Sequence, residues 1–408
     1  MKTISSSPWT LPLVFVACNL LLLQNASSQP PDTLQWLNID CGNDEGLPPI
    51  GRDLLVWSLD TNYTTTGTKS RLSIPTGRPE TDTLRFFPDA AGKNCYSIPP
   101  VKQSLKHLIR AGFYYGNYDA LGKPPTFDLH LDGRKWTTVN TSSSQEGLVY
   151  REAVYAVGEG ADSIELCLIR SRDGEVPFVS SVELVPLWDG LYTEMGNESS
   201  FSLVTRTNLG GPELRTGIDG ELHNRIWTRG ADLSNTSVVT TMAPLQTRVE
   251  NDPAIDALMK SIQSDNAQNT IFLTVDLPKG DSGQQTAYLV FYFTELFARP
   301  KLEDTRIMDI YIDGKMMTSV EAELTKCKVT TLYPITVSPA NSINITLAKS
   351  NSSTLPPMVS AMEVFTRIDS SAGGDGTKST SDGAQRRLVV ASYVVFIHVV
   401  SILFISLV

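Results

Sequence analysis

The clearest pattern in the 408-residue sequence is an alternation of apolar and polar positions with a period of two. In one segment Phe127, Leu129 and Leu131 are apolar, and the residues between them are polar. Successive side chains of a strand point to opposite faces, so these three share the buried face of a half-buried strand. Asp132-Gly133 then supplies a positive-φ turn, and 135–139 is predicted to return as the partner strand of a hairpin.

Three segments of this kind occur twice, in the same order and at nearly the same spacing. The strand that ends in Asp132-Gly133 returns 181 residues later as a strand that ends in Asp313-Gly314. The segment Pro177–Leu184 is matched 180 residues later by Pro357–Val364. An alternating strand precedes each of these two segments, at 164–168 and 343–347. Because the three segments recur in the same order and about 180 residues apart, the sequence indicates a tandem duplication.

The sequence therefore predicts an all-β chain of two tandem, antiparallel, jelly-roll-like β-sandwiches. The first unit covers 29–195 and the second 196–369, because Gly, Asn and Ser residues interrupt the strand pattern between them. The openings of the units agree more loosely, with 38–42 corresponding to 207–211. A minor helix is predicted at 253–263, since an N-cap residue and a proline introduce that segment.

Both ends of the chain carry the pattern of processing signals. A lysine, the apolar run 11–23 and small residues predict a secretory signal peptide at 1–28. The segment 388–408 is apolar and long enough to cross a membrane. A small, polar spacer at 370–387 precedes it, and Gly374 is the candidate attachment residue of a GPI anchor. A retained membrane span is the alternative, but the basic pair precedes the apolar segment instead of following it.

Charge excludes one class of partner. The chain has 34 Lys and Arg against 44 Asp and Glu, a formal net charge of −10, and no stretch is dense in basic residues. Because a phosphate backbone needs a basic face, nucleic acid is not an expected partner. An acidic surface instead attracts a basic peptide over long range.

Cysteines and glycosylation motifs indicate an extracellular setting. The mature chain keeps four cysteines, Cys41, Cys95, Cys167 and Cys327. Three disulfide pairings are open, and no spacing is typical of a metal site. Asn-x-Ser/Thr motifs predict N-glycosylation at Asn62, Asn140, Asn197, Asn235, Asn344 and Asn351.

Six stretches make the chain resemble the plant malectin-like extracellular domain, itself a tandem pair of malectin-type sandwiches. The resemblance covers about 35–368 and rests on 39–42, 84–88, 94–96, 109–119, 177–184 and 225–227. In that family the module usually forms the ectodomain of a receptor kinase. The resemblance implies a cell-surface protein that reaches the plasma membrane through the secretory pathway and faces outward.

The resemblance also suggests what such a protein binds. Animal malectin holds a glucose disaccharide through aromatic and acidic loop residues, because rings stack on the sugar and carboxylates hold its hydroxyls. The matching candidates here are Tyr114, Tyr115, Asn117, Tyr118 and Asp119, although a tyrosine such as Tyr115 is also expected to serve as core. Plant members more often resemble receptors for small secreted peptides or partners of membrane co-receptors, and a groove between the two units would suit such a ligand.

Catalysis is not expected. His107, His130 and His223 lack metal-ligand spacing, and no nucleophile motif or phosphate-binding glycine loop is present. Glu183 and Glu363 occupy equal places in the duplicated segments and are predicted as ordinary strand positions that face away from the core. The sequence thus predicts a non-catalytic, cofactor-free recognition protein for a cell-wall glycan, a secreted peptide or a co-receptor. The alternative is a disaccharide-binding lectin or a carbohydrate-active enzyme.

Overall fold

Strands dominate the computed structural model of the chain. The structure describes residues 36–45, 55–89, 94–100, 106–142, 147–158, 160–215, 221–240, 248–265, 269–278, 284–295, 300–337 and 342–368. We call the described residues up to 195 repeat 1 and those from 196 onward repeat 2. All of them belong to one compact unit that ends at Asp369.

Repeat 1 is built from short strands joined by turns. Its strands are β1 (Leu37–Asp40), β2 (Trp57–Leu59), β3 (Thr68–Arg71), β4 (Thr83–Phe86), β5 (Cys95–Ile98), β6 (Lys106–Tyr114), β7 (Thr126–Leu131), β8 (Arg134–Asn140), β9 (Leu148–Ala156), β10 (Ile164–Arg170), β11 (Phe178–Val179) and β12 (Ser181–Leu187). Short 3-10 turns lie at Asp60–Asn62, Pro79–Thr81 and Thr193–Met195.

Repeat 2 follows the same plan. Its strands are β13 (Ser200–Asn208), β14 (Thr228–Arg229), β15 (Thr236–Thr240), β16 (Lys260–Ser264), β17 (Thr270–Asp276), β18 (Gln285–Phe293), β19 (Ile307–Ile312), β20 (Lys315–Glu321), β21 (Lys328–Val337), β22 (Ser342–Lys349), β23 (Met358–Val359) and β24 (Ala361–Ile368). One helical turn, α1 (Ile255–Leu258), lies between β15 and β16.

A long sheet runs through both repeats in the order β2-β1-β12-β6-β9-β13-β24-β18-β21, with β14 beside β13. In repeat 1 the sheet β5-β10-β7-β8 packs against it, and β17-β22-β19-β20 does the same in repeat 2. Two small sheets, β11-β4-β3 and β15-β16-β23, complete the repeats. The all-β sandwich prediction is therefore confirmed, and the two sandwiches share a sheet.

Three apolar clusters fill the molecule. The first lies inside repeat 1, between residues such as Ile109 of the long sheet and Leu129 of β7. The second lies inside repeat 2 and contains Phe291. The third lies on the opposite face of the long sheet, and both repeats contribute to it, as Val154 and Tyr288 show. The long sheet is therefore covered on both faces near the junction.

The duplicated hairpins form as the alternation predicts. β7 and β8 pair antiparallel, and so do β19 and β20. Both turn dipeptides, Asp132-Gly133 and Asp313-Gly314, have positive φ at each residue, the conformation for which an Asp-Gly turn is favoured.

The openings of the two repeats align one residue differently from the sequence-based expectation. Asp40 pairs with Ser181 and Asn208 pairs with Ala361, so Gly42 corresponds to Gly210 and not to Gly211. A Cβ at Gly42 would lie 2.0 Å from the Leu84 carbonyl oxygen, and one at Gly210 would lie 2.6 Å from the Ser261 amide nitrogen. The same close approach of two backbones thus requires a glycine in each repeat.

The predicted helix at 253–263 is mostly wrong. Only Ile255–Leu258 is helical in that segment, and Lys260–Ser264 forms strand β16. This strand pairs with Thr236–Thr240 on one side and with β23 on the other. Tertiary pairing overrides the local helix-start signal.

The cysteine pairing is settled for repeat 1. Cys95 and Cys167 face each other on β5 and β10 and form a disulfide. Cys41 and Cys327 are buried as thiols, and burial raises the pKa of Cys327 to about 12. Thiols that stay protonated in apolar surroundings are poor nucleophiles.

Asp40 is a buried carboxyl at the opening of repeat 1. It accepts hydrogen bonds from the Thr83 hydroxyl at 2.8 Å and the Asn43 amide at 2.7 Å. Burial raises its pKa to about 6 even though both hydrogen bonds oppose the shift. Repeat 2 carries the neutral Asn208 at the same register position.

We expect Asp40→Asn to change how stability depends on pH. Because the folded-state pKa lies above the unfolded value, the wild-type protein gains stability as pH falls from about 7 toward 4. The variant lacks this gain, which is on the order of 2 kcal/mol. Urea unfolding of both proteins at several pH values measures it, and a difference between them that stays constant with pH would contradict the prediction.

Candidate functional site

A cleft opens in the long sheet where repeat 1 meets repeat 2. Among the described residues, β9 and β13 pair only through 153–154 and 201–202. Beyond these pairs the strands diverge, and 150–152 and 203–205 line a cavity of about 350 Å³. No described strand pairs with either of these facing edges. The cleft is therefore bounded by two strand edges that no described strand extends.

Residues outside the long sheet form the walls of the cleft. β8 contributes Thr137 and the exposed Thr138, and the end of β17 contributes Asp276 and Pro278. Ile226 adds an apolar side chain from the segment before β14. The walls thus come from both repeats.

Buried ion pairs form the floor of the cleft. Arg110 contacts Glu183 at 2.9 Å and Glu152 at 2.7 Å. Arg206 contacts Glu152 at 2.7 Å and Glu363 at 2.7 Å. All five side chains are buried, and we call them the ion chain. The pair between Glu152 and Arg206 bridges the repeats, because the former belongs to β9 and the latter to β13.

Glu183 and Glu363 are strand positions that face away from the core of their sandwich, as the sequence predicts, but they are not ordinary ones. Each points away from the interior of its own sandwich, as the alternation requires. The other face of the long sheet is also covered, however, and both carboxylates are buried there. Glu363 accepts hydrogen bonds from Tyr192 and Tyr292, each at 2.8 Å.

The ion chain fixes the protonation state of its central carboxylate. Burial by itself raises the pKa of Glu152, but Arg206 and Arg110 outweigh that effect and hold the pKa below its ordinary value. Glu152 is therefore ionised at neutral pH, and the arginines that it contacts stay charged.

The sequence motif at 225–227 lies in the segment 221–227, whose side chains form a buried network beside the ion chain. Arg225 contacts Glu221 at 3.0 Å, and the Trp227 indole donates to the same carboxylate at 2.7 Å. The Asn224 amide donates to Glu183 at 2.6 Å, which ties this segment of repeat 2 to repeat 1. The motif therefore supports the floor of the cleft from below.

An aromatic ring and two further arginines lie beside the ion chain. The Arg215 guanidinium lies 5.4 Å from the centre of the Tyr150 ring. Arg151 donates to the Tyr150 carbonyl oxygen at 2.9 Å, and burial lowers the pKa of its guanidinium. Tyr150 consequently adds an aromatic side chain to the lining of the cleft.

The predicted sugar-binding residues do lie together, at the last residue of β6 and in the loop that follows it. Tyr115 is buried with 6% of its surface exposed, and its hydroxyl donates to Asp119. Asn117 accepts a backbone hydrogen bond from Gly122 at 2.7 Å. The Tyr118 ring packs against other aromatic rings, and Tyr114 is half-buried. These side chains mainly hold the loop and its hydrophobic base together.

The predicted glycosylation sites are all exposed at the described surface, namely Asn62, Asn140, Asn197, Asn235, Asn344 and Asn351. The signal peptide at 1–28, the attachment candidate Gly374 and the apolar segment 388–408 lie outside the described residues. Within the part of the chain that the structure describes, no helix is long and apolar enough to span a membrane.

Comparison with known proteins places the chain in a family. A profile of the Malectin-like domain matches residues 39–367. The chain belongs to the malectin-like family. In Arabidopsis thaliana it is 28% identical over 371 residues to the probable LRR receptor-like serine/threonine-protein kinase At1g51880, covering 88% of this chain and 40% of the kinase. It is 29% identical over 382 residues to the uncharacterized protein At1g24485, covering 93% of this chain and 72% of that protein.

Solved structures show the same malectin-like fold. The ANX1 ectodomain from Arabidopsis thaliana superposes with a TM-score of 0.67 at 16% identity, covering 85% of this chain and 100% of that one. A chain in the structure of the plant peptide RALF23 in complex with FER and LLG2 gives a TM-score of 0.65 at 14% identity, covering 82% of this chain and 96% of that one. The malectin-like chain described here spans about 40% of the length of the receptor kinases At1g51880 and At1g51860.

We expect Arg206→Ala to destabilise the protein by about 3–5 kcal/mol, because it leaves Glu152 and Glu363 buried with one fewer cation. Arg229→Ala is the matched control, since it removes an exposed pair with Asp232 and should cost less than about 1 kcal/mol. Denaturant unfolding measures both variants. Equal losses would show that the ion chain does not hold the repeats together.

Proposed function

We propose that this malectin-like protein is a non-catalytic receptor-type protein at the extracellular face of the plasma membrane. Its ligand is a secreted peptide that binds in the cleft between the repeats. The proposal agrees with the family, whose structural neighbours here are receptor ectodomains. A signal peptide at 1–28 and a GPI anchor at Gly374 would deliver the chain to that surface and hold it there.

The two unpaired strand edges carry the proposal. Because β9 and β13 separate after two residue pairs, 150–152 and 203–205 have no described strand beside them on the side of the cleft, whereas their other sides pair with β6 and β24. An extended peptide binds such an edge by adding a strand, and its main chain supplies the hydrogen bonds. A sugar has no peptide main chain with which to extend the ladder.

The side chains around the cleft also suit a peptide. Leu203, Val204 and Ile226 offer apolar contacts, and Tyr150 offers an aromatic one. Side chains of a bound strand alternate between its two faces, so half of them would meet these groups and half would point to solvent. The net charge of −10 favours the approach of a basic peptide at low ionic strength.

A second protein is a further proposed partner. The fold resembles that of a chain solved in the complex of RALF23 with FER and LLG2, which contains a peptide and more than one protein. This likeness supports a peptide ligand together with a membrane co-receptor. An anchored chain of this kind would act by holding the ligand for that partner.

Carbohydrate binding is the second candidate. Stacking on a sugar needs an exposed aromatic face, whereas the rings of Tyr115 and Tyr118 pack against neighbouring aromatic side chains. The remaining groups, Asn117 and Asp119, already accept hydrogen bonds within the loop. A cell-wall glycan is therefore the less favoured ligand of this site.

The charges of the cleft argue against glycoside hydrolysis. That reaction needs a carboxylic acid with a raised pKa to protonate the leaving group. Glu152 is the buried carboxylate that lines the cleft, and its two arginine neighbours hold its pKa low. The ion chain therefore supports binding and not acid catalysis.

Blocking the cleft tests the proposal. Thr138 lines the cleft, and its hydroxyl donates to Asp128, whereas Ser319 donates to Asp309 at the equivalent place in repeat 2 and does not line the cleft. Peptides are selected from a random display library on the secreted chain and measured by calorimetry. We expect Thr138→Trp to weaken binding at least about tenfold and Ser319→Trp to leave it unchanged.

Two results would contradict the peptide proposal. One is equal binding of the selected peptides to both tryptophan variants. The other is a failure to select any peptide while a cell-wall glycan array gives specific binding, which would favour the carbohydrate candidate.

A further inference from the structure

The outer sheet of repeat 2 carries three large, exposed or half-exposed side chains, Phe272, Tyr311 and Met316, in one row across its strands. Phe272, Thr346, Tyr311 and Met316 lie directly opposite one another on the neighbouring strands β17, β22, β19 and β20. Phe272 is 65% exposed and Met316 is 47% exposed. Exposed apolar side chains that lie close together on a protein surface mark a candidate contact site.

Asn344 lies on the same face, two residues before Thr346 on β22. It therefore lies diagonally beside Phe272 on one side and beside Tyr311 on the other, at separations of roughly 7–8 Å. Asn344-Ile345-Thr346 is also a glycosylation motif, and Asn344 is exposed. An acceptor amide thus stands between two aromatic side chains.

Hydrogen bonds fix the orientation of this amide. Thr274 donates to the Asn344 side-chain oxygen at 3.2 Å, and the amide nitrogen lies 3.4 Å from the Asp313 carboxylate. The nitrogen carries two hydrogens. Glycosylation replaces one of them, so the other still serves the contact with Asp313.

Repeat 1 lacks this combination at the equivalent positions. Cys95 and Cys167 occupy the places of Phe272 and Thr346, and the disulfide joins the two strands there. His130 and Glu165 correspond to Tyr311 and Asn344. A disulfide therefore links two strands in the outer sheet of repeat 1. The equivalent strands of repeat 2 carry an aromatic side chain beside an acceptor asparagine at these positions.

We propose that an N-linked glycan on Asn344 lies across Phe272 and Tyr311 and stabilises the outer sheet of repeat 2. A lipid-linked oligosaccharide pyrophosphate is the donor. A bond forms between the asparagine nitrogen and the first sugar carbon, the bond from that carbon to pyrophosphate breaks, and the nitrogen loses one proton. The apolar C–H face of the first N-acetylglucosamine then covers the rings.

The inference depends on the proposed passage through the secretory pathway but not on peptide binding. The chain is therefore produced by secretion from plant cells, and glycopeptide mass spectrometry determines whether Asn344 is occupied. Thermal unfolding is measured for the wild-type chain, Asn344→Gln, Phe272→Thr and the double variant. Asn140→Gln is the matched control, because Asn140 pairs with Thr126 at the outer sheet of repeat 1.

We expect Asn344 to be glycosylated and either single variant to lower Tm by about 2–4 °C. In the Asn344→Gln background, Phe272→Thr should lower Tm little further, because both changes remove the same contact. Trimming the glycan to its first sugar should retain the stability. The control Asn140→Gln should leave the effect of Phe272→Thr unchanged.

An unmodified Asn344 in the secreted chain would overturn the inference, and so would an unchanged Tm in both single variants. Additive losses of Tm would also overturn it, because the ring and the glycan would then act separately. None of these outcomes bears on the cleft, which is tested by peptide binding alone.

Discussion

Arg206 is the residue on which the arrangement of the two repeats depends. It lies between Glu152 of β9 and Glu363 of β24, and all three side chains are buried. Buried charges in a low-dielectric interior need partners, and separating the repeats would break the pair of Glu152 with Arg206 and leave each of these two side chains with one ion-pair partner fewer. The two residue pairs between β9 and β13 are few, and the ion chain strengthens this short junction.

The two repeats have the same arrangement of strands, but equivalent positions carry different side chains. Each of the two equivalent glutamates has one arginine and one uncharged residue beside it in the sheet, on opposite sides. The flanking residues are Arg110 and Asn38 beside Glu183, and Val290 and Arg206 beside Glu363. Both arginines therefore come to lie near the junction, where each can also reach Glu152.

The strands and the duplication could be predicted from the sequence because each rests on a local pattern. Alternation places Leu129 in the interior of its sandwich, and the Asp-Gly turns fix the hairpins. The shared sheet could not be predicted, since its junction consists of two residue pairs without a pattern of their own. For the same reason the burial of Glu183 in an ion pair could not be predicted, although a charged Arg110 within an otherwise apolar strand was the available signal.

The shared sheet has a consequence for how this module is inherited. A gene fragment that encodes either half would leave a β-edge open and would lose the ion pair between Glu152 and Arg206. The halves are not interchangeable, because Arg110 lies on β6 of one and Arg206 on the non-equivalent strand β13 of the other. A fragment that carries one half would therefore be less stable than the complete pair.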